Sequence, residues 1–138
     1  MPSQRASTTC AMISSGKAMS LRILVVDDSP IILAAVRHAL VTAGYLCDTC
    51  ATFEELERHD VDGFDLVLMD VQMPELYGDD VAVALRQREV HTPIYLFSTL
   101  DDSELETRAK EAGLDGYISK KRGMDHLLGE LTRIFSKA

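Results

Sequence analysis

Phe64-Asp65-Leu66-Val67-Leu68-Met69-Asp70-Val71-Gln72-Met73-Pro74 is the stretch that decides how the chain is read. Leu66 to Met69 is an unbroken apolar run, which fits a strand covered on both faces in a parallel sheet. The run stops at a single carboxylate, Asp70. In open α/β sheets ligands bind at the carboxyl ends of strands, where the loops leave a crevice above the buried sheet, so this position points to chemistry. Pro74 and Gly78 follow as breakers and turn the chain over the sheet before the next helix.

Outward from this strand, apolar runs alternate with helical stripes. Upstream, Leu21 to Val26 is a β-rich run ending in Asp27-Asp28-Ser29-Pro30, where Pro30 suits the first turn of a helix capped by Asp28 or Ser29. Ile32, Val36, Ala39 and Ala43 recur at helical spacing until Gly44 stops the run. Tyr45 to Cys50 reads as the second strand, and Thr52 to Arg58 as a short helix whose Thr52 and Glu55 form a capping box. Downstream, Asp79 to Arg88 is a helix with an acidic start, and Pro93 to Ser98 is the fourth strand. Leu105, Ala109 and Ala112 mark a further helix that Gly113 ends, Gly116 to Ser119 is the fifth strand, and Leu127, Leu131, Ile134 and Phe135 stripe the last helix. Five strands alternating with five helices predict an α/β fold, a five-stranded parallel sheet between two helical layers.

A chain of 138 residues is long enough for one domain with a real core. We expect residues 1–20, rich in Ser, Thr and Ala, to be a disordered tail, a linker or an expression extension, and 21–138 to be the domain, with no output domain after the last helix. The net charge of −8 argues against direct binding of nucleic acid, which needs a basic face. No apolar run approaches the ~20 residues of a membrane span, so no membrane insertion is expected. Three cysteines without framework spacing suit a cytoplasmic location. Cys47 and Cys50 form C-x-x-C, but on a strand residues three apart face opposite ways, which predicts two buried thiols and not a redox or metal pair. His38, His59, His91 and His126 are too scattered to suggest a metal site.

Polar residues fall at the carboxyl ends of four predicted strands: Asp27 and Asp28 after the first, Asp70 after the third, Ser98 after the fourth, Lys120 after the fifth. Taken singly, these read as helix caps, a turn, a strand-end hydroxyl and a solvated lysine. Parallel strands bring all of them to one crevice. Carboxylates ~4 Å apart repel by up to roughly 4 kcal/mol per pair at an effective dielectric near 20, so positive charge has to gather there. Lys120 supplies one charge and a hard divalent cation the rest; Mg²⁺ takes one or two carboxylates, keeps waters and accepts a phosphate oxygen. The pocket therefore reads as a phosphoryl site, with Asp70 as nucleophile and Lys120 and Ser98 contacting the phosphoryl oxygens.

Val25-Val26-Asp27-Asp28-Ser29, Leu68-Met69-Asp70-Val71-Gln72-Met73-Pro74, Gly78, Pro93 to Ser98, and Gly113-Leu114-Asp115-Gly116-Tyr117-Ile118-Ser119-Lys120 together resemble the receiver domain of two-component response regulators. The resemblance covers about residues 21 to 138 in order. It implies a flavodoxin-like (βα)₅ three-layer sandwich in which Asp70 takes a phosphoryl group from a histidine kinase or histidine phosphotransfer protein. By the same match Asp27, Asp28 and Asp70 would hold Mg²⁺, Lys120 would contact the phosphoryl group, and Ser98 with Tyr117 would switch affinity for a downstream effector protein. Gln72 and Leu100 occupy positions where the family varies acyl-phosphate lifetime.

The family usually has proline directly after the lysine, often across a cis bond, where this chain has Lys121 and Arg122. A cis bond before a non-proline residue costs about 3 to 4 kcal/mol, so either a trans bond with a rearranged loop or a strained exception is expected. Two other functions compete. One is a degenerate receiver that binds protein partners without phosphorylation. The other is an aspartyl-nucleophile phosphatase, which needs a second aspartate two residues after the first; here Ser29 follows Asp27 and Pro30 follows Asp28 at that spacing, so its general acid is missing.

Overall fold

The computed structural model describes residues 20–72 and 78–136. Residues 1–19 of the tail expected over 1–20, and the turn through Met73 and Pro74, lie outside the described residues. Five strands, β1 (Arg22–Val26), β2 (Leu46–Cys50), β3 (Leu66–Met69), β4 (Ile94–Ser98) and β5 (Gly116–Ser119), form one parallel sheet in the order β2-β1-β3-β4-β5. They alternate with α1 (Pro30–Thr42), α2 (Phe53–Glu57), α3 (Gly78–Gln87), α4 (Asp102–Glu111) and α5 (Gly123–Ser136). This is the flavodoxin-like (βα)₅ sandwich expected from the sequence.

The sheet is buried on both faces because each strand sends alternate apolar side chains into two cores. Leu24, Val26, Val67 and Met69 point into the layer closed by Leu56, Leu85 and Leu105 of α2, α3 and α4. Ile23, Val25, Leu66 and Leu68 point into the layer closed by Val36 and Leu40 of α1 and Leu127 and Leu131 of α5. Cys47 and Cys50 divide in the same way, one in each core. The C-x-x-C pair is two separated buried thiols, as the strand periodicity predicts.

Two local expectations, the stripe of α1 and the extent of β3, need correction. The buried stripe of α1 is Val36 and Leu40, with Ile32 and Leu33 partly buried, and Ala43 is exposed. Larger side chains at i and i+4 take the core-facing side, and Ala43 falls at the C-cap, beyond the last packed turn. Of the two candidate caps, Ser29 caps α1, its hydroxyl accepting from Ile32 N at 3.3 Å. β3 is shorter than Phe64 to Asp70, because a 3₁₀ turn over Val61–Gly63 closes onto Phe64 before the strand begins.

At the end of the sheet away from the β1 and β3 carboxyl termini, Arg86 of α3 acts as a latch. Its guanidinium donates to Val90 O and Thr92 O at 2.7 and 2.9 Å and to Asp115 Oδ2 at 2.9 Å. The same Asp115 oxygen accepts from Ile94 N at 2.8 Å, tying the starts of β4 and β5 together. Next to it, Gly116 lies under the Tyr95 ring, and a Cβ there would stand 2.7 Å from Tyr95 Cε2. Gly116→Ala therefore forces the ring or the strand to shift. We predict a loss of about 1 to 3 kcal/mol of stability, read from the midpoint of a urea unfolding curve at unchanged slope.

Candidate functional site

The register sets the carboxyl ends of the central strands level: Val26 lies beside Met69, and Ser98 beside Ser119. The next residues are Asp27, Asp70 and Lys120, so three side chains distant in sequence emerge into the crevice above β1 and β3. Connections leave β1 toward β2 on one side and return to β3 on the other, which opens a binding crevice at this point. The backbone enforces the approach, with Asp70 N donating to Val26 O at 2.9 Å.

Asp27, Asp28 and Asp70 each offer a carboxylate oxygen, and the three atoms lie within 4.8 Å of one another. Asp27 and Asp70 are buried, 2 % and 6 % exposed, while Asp28 is exposed at the rim. Hard oxygens from two or three carboxylates at this spacing fit the ligand set of Mg²⁺. Both oxygens of Asp27 are engaged: Oδ1 accepts from Ser29 N at 2.9 Å, and Oδ2 pairs with the Lys120 ammonium. The same ammonium lies 3.5 Å from Asp70 Oδ1 and 5.5 Å from the centre of the Phe97 ring. Asp70 Oδ1 also accepts from Gln72 N at 3.4 Å, whereas among the described residues Oδ2 accepts no hydrogen bond.

Ser98 is fully buried at the end of β4, and its hydroxyl accepts from Leu100 N at 3.3 Å. As an acceptor there it keeps its own O–H to donate. Tyr117 is half-buried and packs with Leu100 against the α2–α4 core, one position before Ile118 on β5. Asp27, Asp28, Asp70 and Lys120 thus meet in one cluster; Ser98 borders it with a local partner, and Tyr117 lies to the side. Sequence reasoning missed Ser119. Its buried Oγ accepts from Lys121 N at 3.2 Å and caps a 3₁₀ turn over Lys120–Arg122. No cis peptide bond occurs among the described residues, so of the two alternatives at Lys121 the chain takes the trans bond, within this capped turn.

Burial is the largest influence on Asp70 and raises its carboxyl; Lys120 opposes this, Asp27 reinforces it, and the Gln72 N–H opposes it, leaving Asp70 at about 6. The cysteines are also pushed up by burial, Cys47 to about 11 and Cys50 to about 12, so both stay protonated and unreactive at neutral pH.

Because the Asp70 pKa is higher in the folded chain than its ordinary value of 3.8, the native state holds more protons than the unfolded state between about pH 4 and 6. Taken alone, Asp70 therefore stabilises less and less as pH rises through this window, and above it the full penalty of burying a charge remains. Asp70→Asn is expected to raise the stability of the metal-free chain at pH 7.5, by on the order of 1 to 3 kcal/mol. It should also flatten the decline between pH 4 and 6 in urea melts.

Comparison with known proteins gives the same reading. The family model described as the response regulator receiver domain matches residues 23–132. The transcriptional regulatory protein KdpE of Mycobacterium tuberculosis is 36 % identical over 110 residues, covering 79 % of this chain and 48 % of KdpE. The chain spans about half the length of the curated relatives it matches. Among solved structures, the chemotaxis response regulator CheY4 of Vibrio cholerae superposes with a TM-score of 0.73 at 30 % identity, covering 84 % of this chain and 99 % of CheY4. The response regulator TrrA of Thermotoga maritima, solved in complex with Mg²⁺–BeF, superposes at 0.70 with 31 % identity, covering 82 % of this chain and 97 % of TrrA. All six side chains singled out in the sequence fall inside the matched span, and the chain belongs to the receiver domains of two-component response regulators, a family of signalling domains.

Proposed function

We propose that Asp70 is the phosphoacceptor of this receiver and that residues 21–138 form the receiver unit, preceded by a tail or linker. The carrying observation is one arrangement: three carboxylate oxygens within 4.8 Å of one another, with a lysine ammonium beside two of them. This is the charge pattern that a divalent cation and a phosphoryl group complete together. Asp27, Asp28 and Asp70 would hold Mg²⁺, and the bound ion would neutralise charge on the transferring phosphoryl oxygens. The complex of TrrA with Mg²⁺–BeF supports a pocket of this kind holding cation and anion at once.

The roles of the chain's own residues follow from where they lie. Asp70 Oδ2, free of hydrogen bonds among the described residues, attacks phosphorus as the phosphorus–nitrogen bond to a donor histidine breaks; the imidazole leaves and an acyl phosphate forms. The donor is a histidine kinase or a histidine phosphotransfer protein. Lys120 transfers its charge from the carboxylates to the new phosphoryl oxygens. Ser98 donates its free O–H to them while its oxygen keeps the Leu100 N–H, and Tyr117, which packs against the same core as Leu100, registers the change toward a downstream effector protein. The chain supplies only its own phosphotransfer and slow hydrolysis of the acyl phosphate. No helix among the described residues is long and apolar enough to cross a membrane, and we assign the domain to the cytoplasm.

Incubation with phosphoramidate and Mg²⁺, followed by intact-mass measurement, should add one phosphoryl group to the wild type and none to Asp70→Asn. An unmodified wild type, with donor and metal shown active on another receiver, removes the proposal. Separately, millimolar Mg²⁺ should raise the melting midpoint, because it binds the folded pocket and has no equivalent site in the unfolded chain. A titration 100-fold above Kd corresponds to about 2.7 kcal/mol, and Asp28→Asn should weaken the shift.

A further inference from the structure

We infer that Ser119 is a positioning residue for Lys120 and acts through the backbone N–H of Lys121. The inference rests on the proposed role of Lys120 at the phosphoryl group. Lys120 leaves β5 with no strand partner of its own, and Lys121, Arg122 and Gly123 are all exposed, so no apolar packing fixes the turn that aims its side chain. Gly123 N donates to Lys120 O within the turn, and the side chain that caps its start is Ser119. It is 3 % exposed, lies beside Ser98 in the sheet, and its Oγ accepts from Lys121 N at 3.2 Å, capping the turn over Lys120–Arg122. Gly123 then reverses the chain into α5 at φ 85°.

On the outer side, Lys121 Nζ reaches Asp101 Oδ1 at 2.7 Å and Arg122 pairs with Asp102. These pairs are solvent-exposed and contribute little by themselves. The buried hydroxyl is therefore the main hold. If it is removed, the Lys121 N–H loses its buried partner, the turn loosens, and the Lys120 ammonium is held less firmly in its place between Asp27 and Asp70. A shift of about 1 Å at a reacting group costs up to about a hundredfold in rate, and a cap that only loosens should cost about tenfold.

The test uses the full chain and two independent readings: the initial rate of phosphorylation by phosphoramidate with Mg²⁺, and the acetylation of Lys120 by a low dose of acetic anhydride, resolved by peptide mass. Ser119→Ala is expected to phosphorylate about tenfold more slowly and to acetylate faster at Lys120, with exposed Lys110 unchanged as reference. Ser119→Thr, which keeps the hydroxyl, should restore both to within about twofold. Lys121→Ala, which keeps the N–H and loses the Asp101 pair, should stay near wild type. Equal rates and equal shielding of Lys120 in wild type and Ser119→Ala overturn the inference, as does a loss in Ser119→Ala that Ser119→Thr shares. A wild type that takes up no phosphoryl group instead removes the function proposed for Asp70, and the acetylation comparison alone then decides the role of Ser119. Should Ser119→Ala fail to fold, amide exchange in the wild type decides it: slow exchange at Lys121 relative to exposed backbone supports the cap, and fast exchange overturns it.

Discussion

The contact on which the site depends is the Lys120 ammonium held against Asp27 and near Asp70. Two carboxylates buried together in a largely apolar fold are costly, and one shared cation offsets part of that cost. Removing one member of a buried pair leaves an uncompensated charge, typically a loss of about 3 to 5 kcal/mol, so the lysine cannot be dispensed with even at rest. Three carboxylates against one ammonium still leave the pocket a cation short. At Asp70 burial, the larger influence, and then Asp27 outweigh Lys120 and push the carboxyl up to about 6. Charge balance in such a pocket favours an added cation, and Asp28 offers its oxygen at the exposed rim.

This contact is a product of topology. Lys120 and Asp27 are far apart in sequence, and they meet because parallel strands end level with one another and because the strand order reverses between β1 and β3. Both faces of the sheet are sealed by apolar side chains, so the polar residues can gather only at the strand ends. The Arg86 latch at the other end joins the starts of β4 and β5 and helps keep them in the register that places Ser98 beside Ser119.

Much of this was legible in the sequence, for a physical reason. A strand buried on both faces must be a continuous apolar run, so a carboxylate that stops the run marks a strand end without ambiguity; Asp27 and Asp70 were placed on that basis. What was not legible depends on partners that carry no sequence pattern. Periodicity alone gave Ala39 and Ala43 the same weight as Val36, and only packing shows that α1 turns Val36 and Leu40 inward. Phe64 looks like strand, yet the preceding 3₁₀ turn uses it as its terminus. Arg86 reads as an ordinary charged helix residue because two of its partners are backbone carbonyls. Ser119 was passed over for the same reason: the group it serves is an N–H that every residue except proline possesses.

That last point explains how the chain dispenses with the proline its family usually carries after the lysine. Proline at position 121 would delete the N–H that Ser119 accepts from, and it would also disfavour the helical backbone at Lys120, the residue before it. The observed loop needs both the N–H and the helical turn. A capped 3₁₀ turn and a prolyl bond are therefore alternative, mutually exclusive ways to stiffen the same joint, and the absence of proline is no sign that the site has decayed. The capped turn also brings something proline lacks. Lys121 and Arg122 reach Asp101 and Asp102 at the start of α4, so the segment that aims Lys120 is tied to the segment that follows Ser98. Being exposed, these pairs add little of their own, and the buried hydroxyl of Ser119 remains the side-chain contact that sets where the turn presents Lys120.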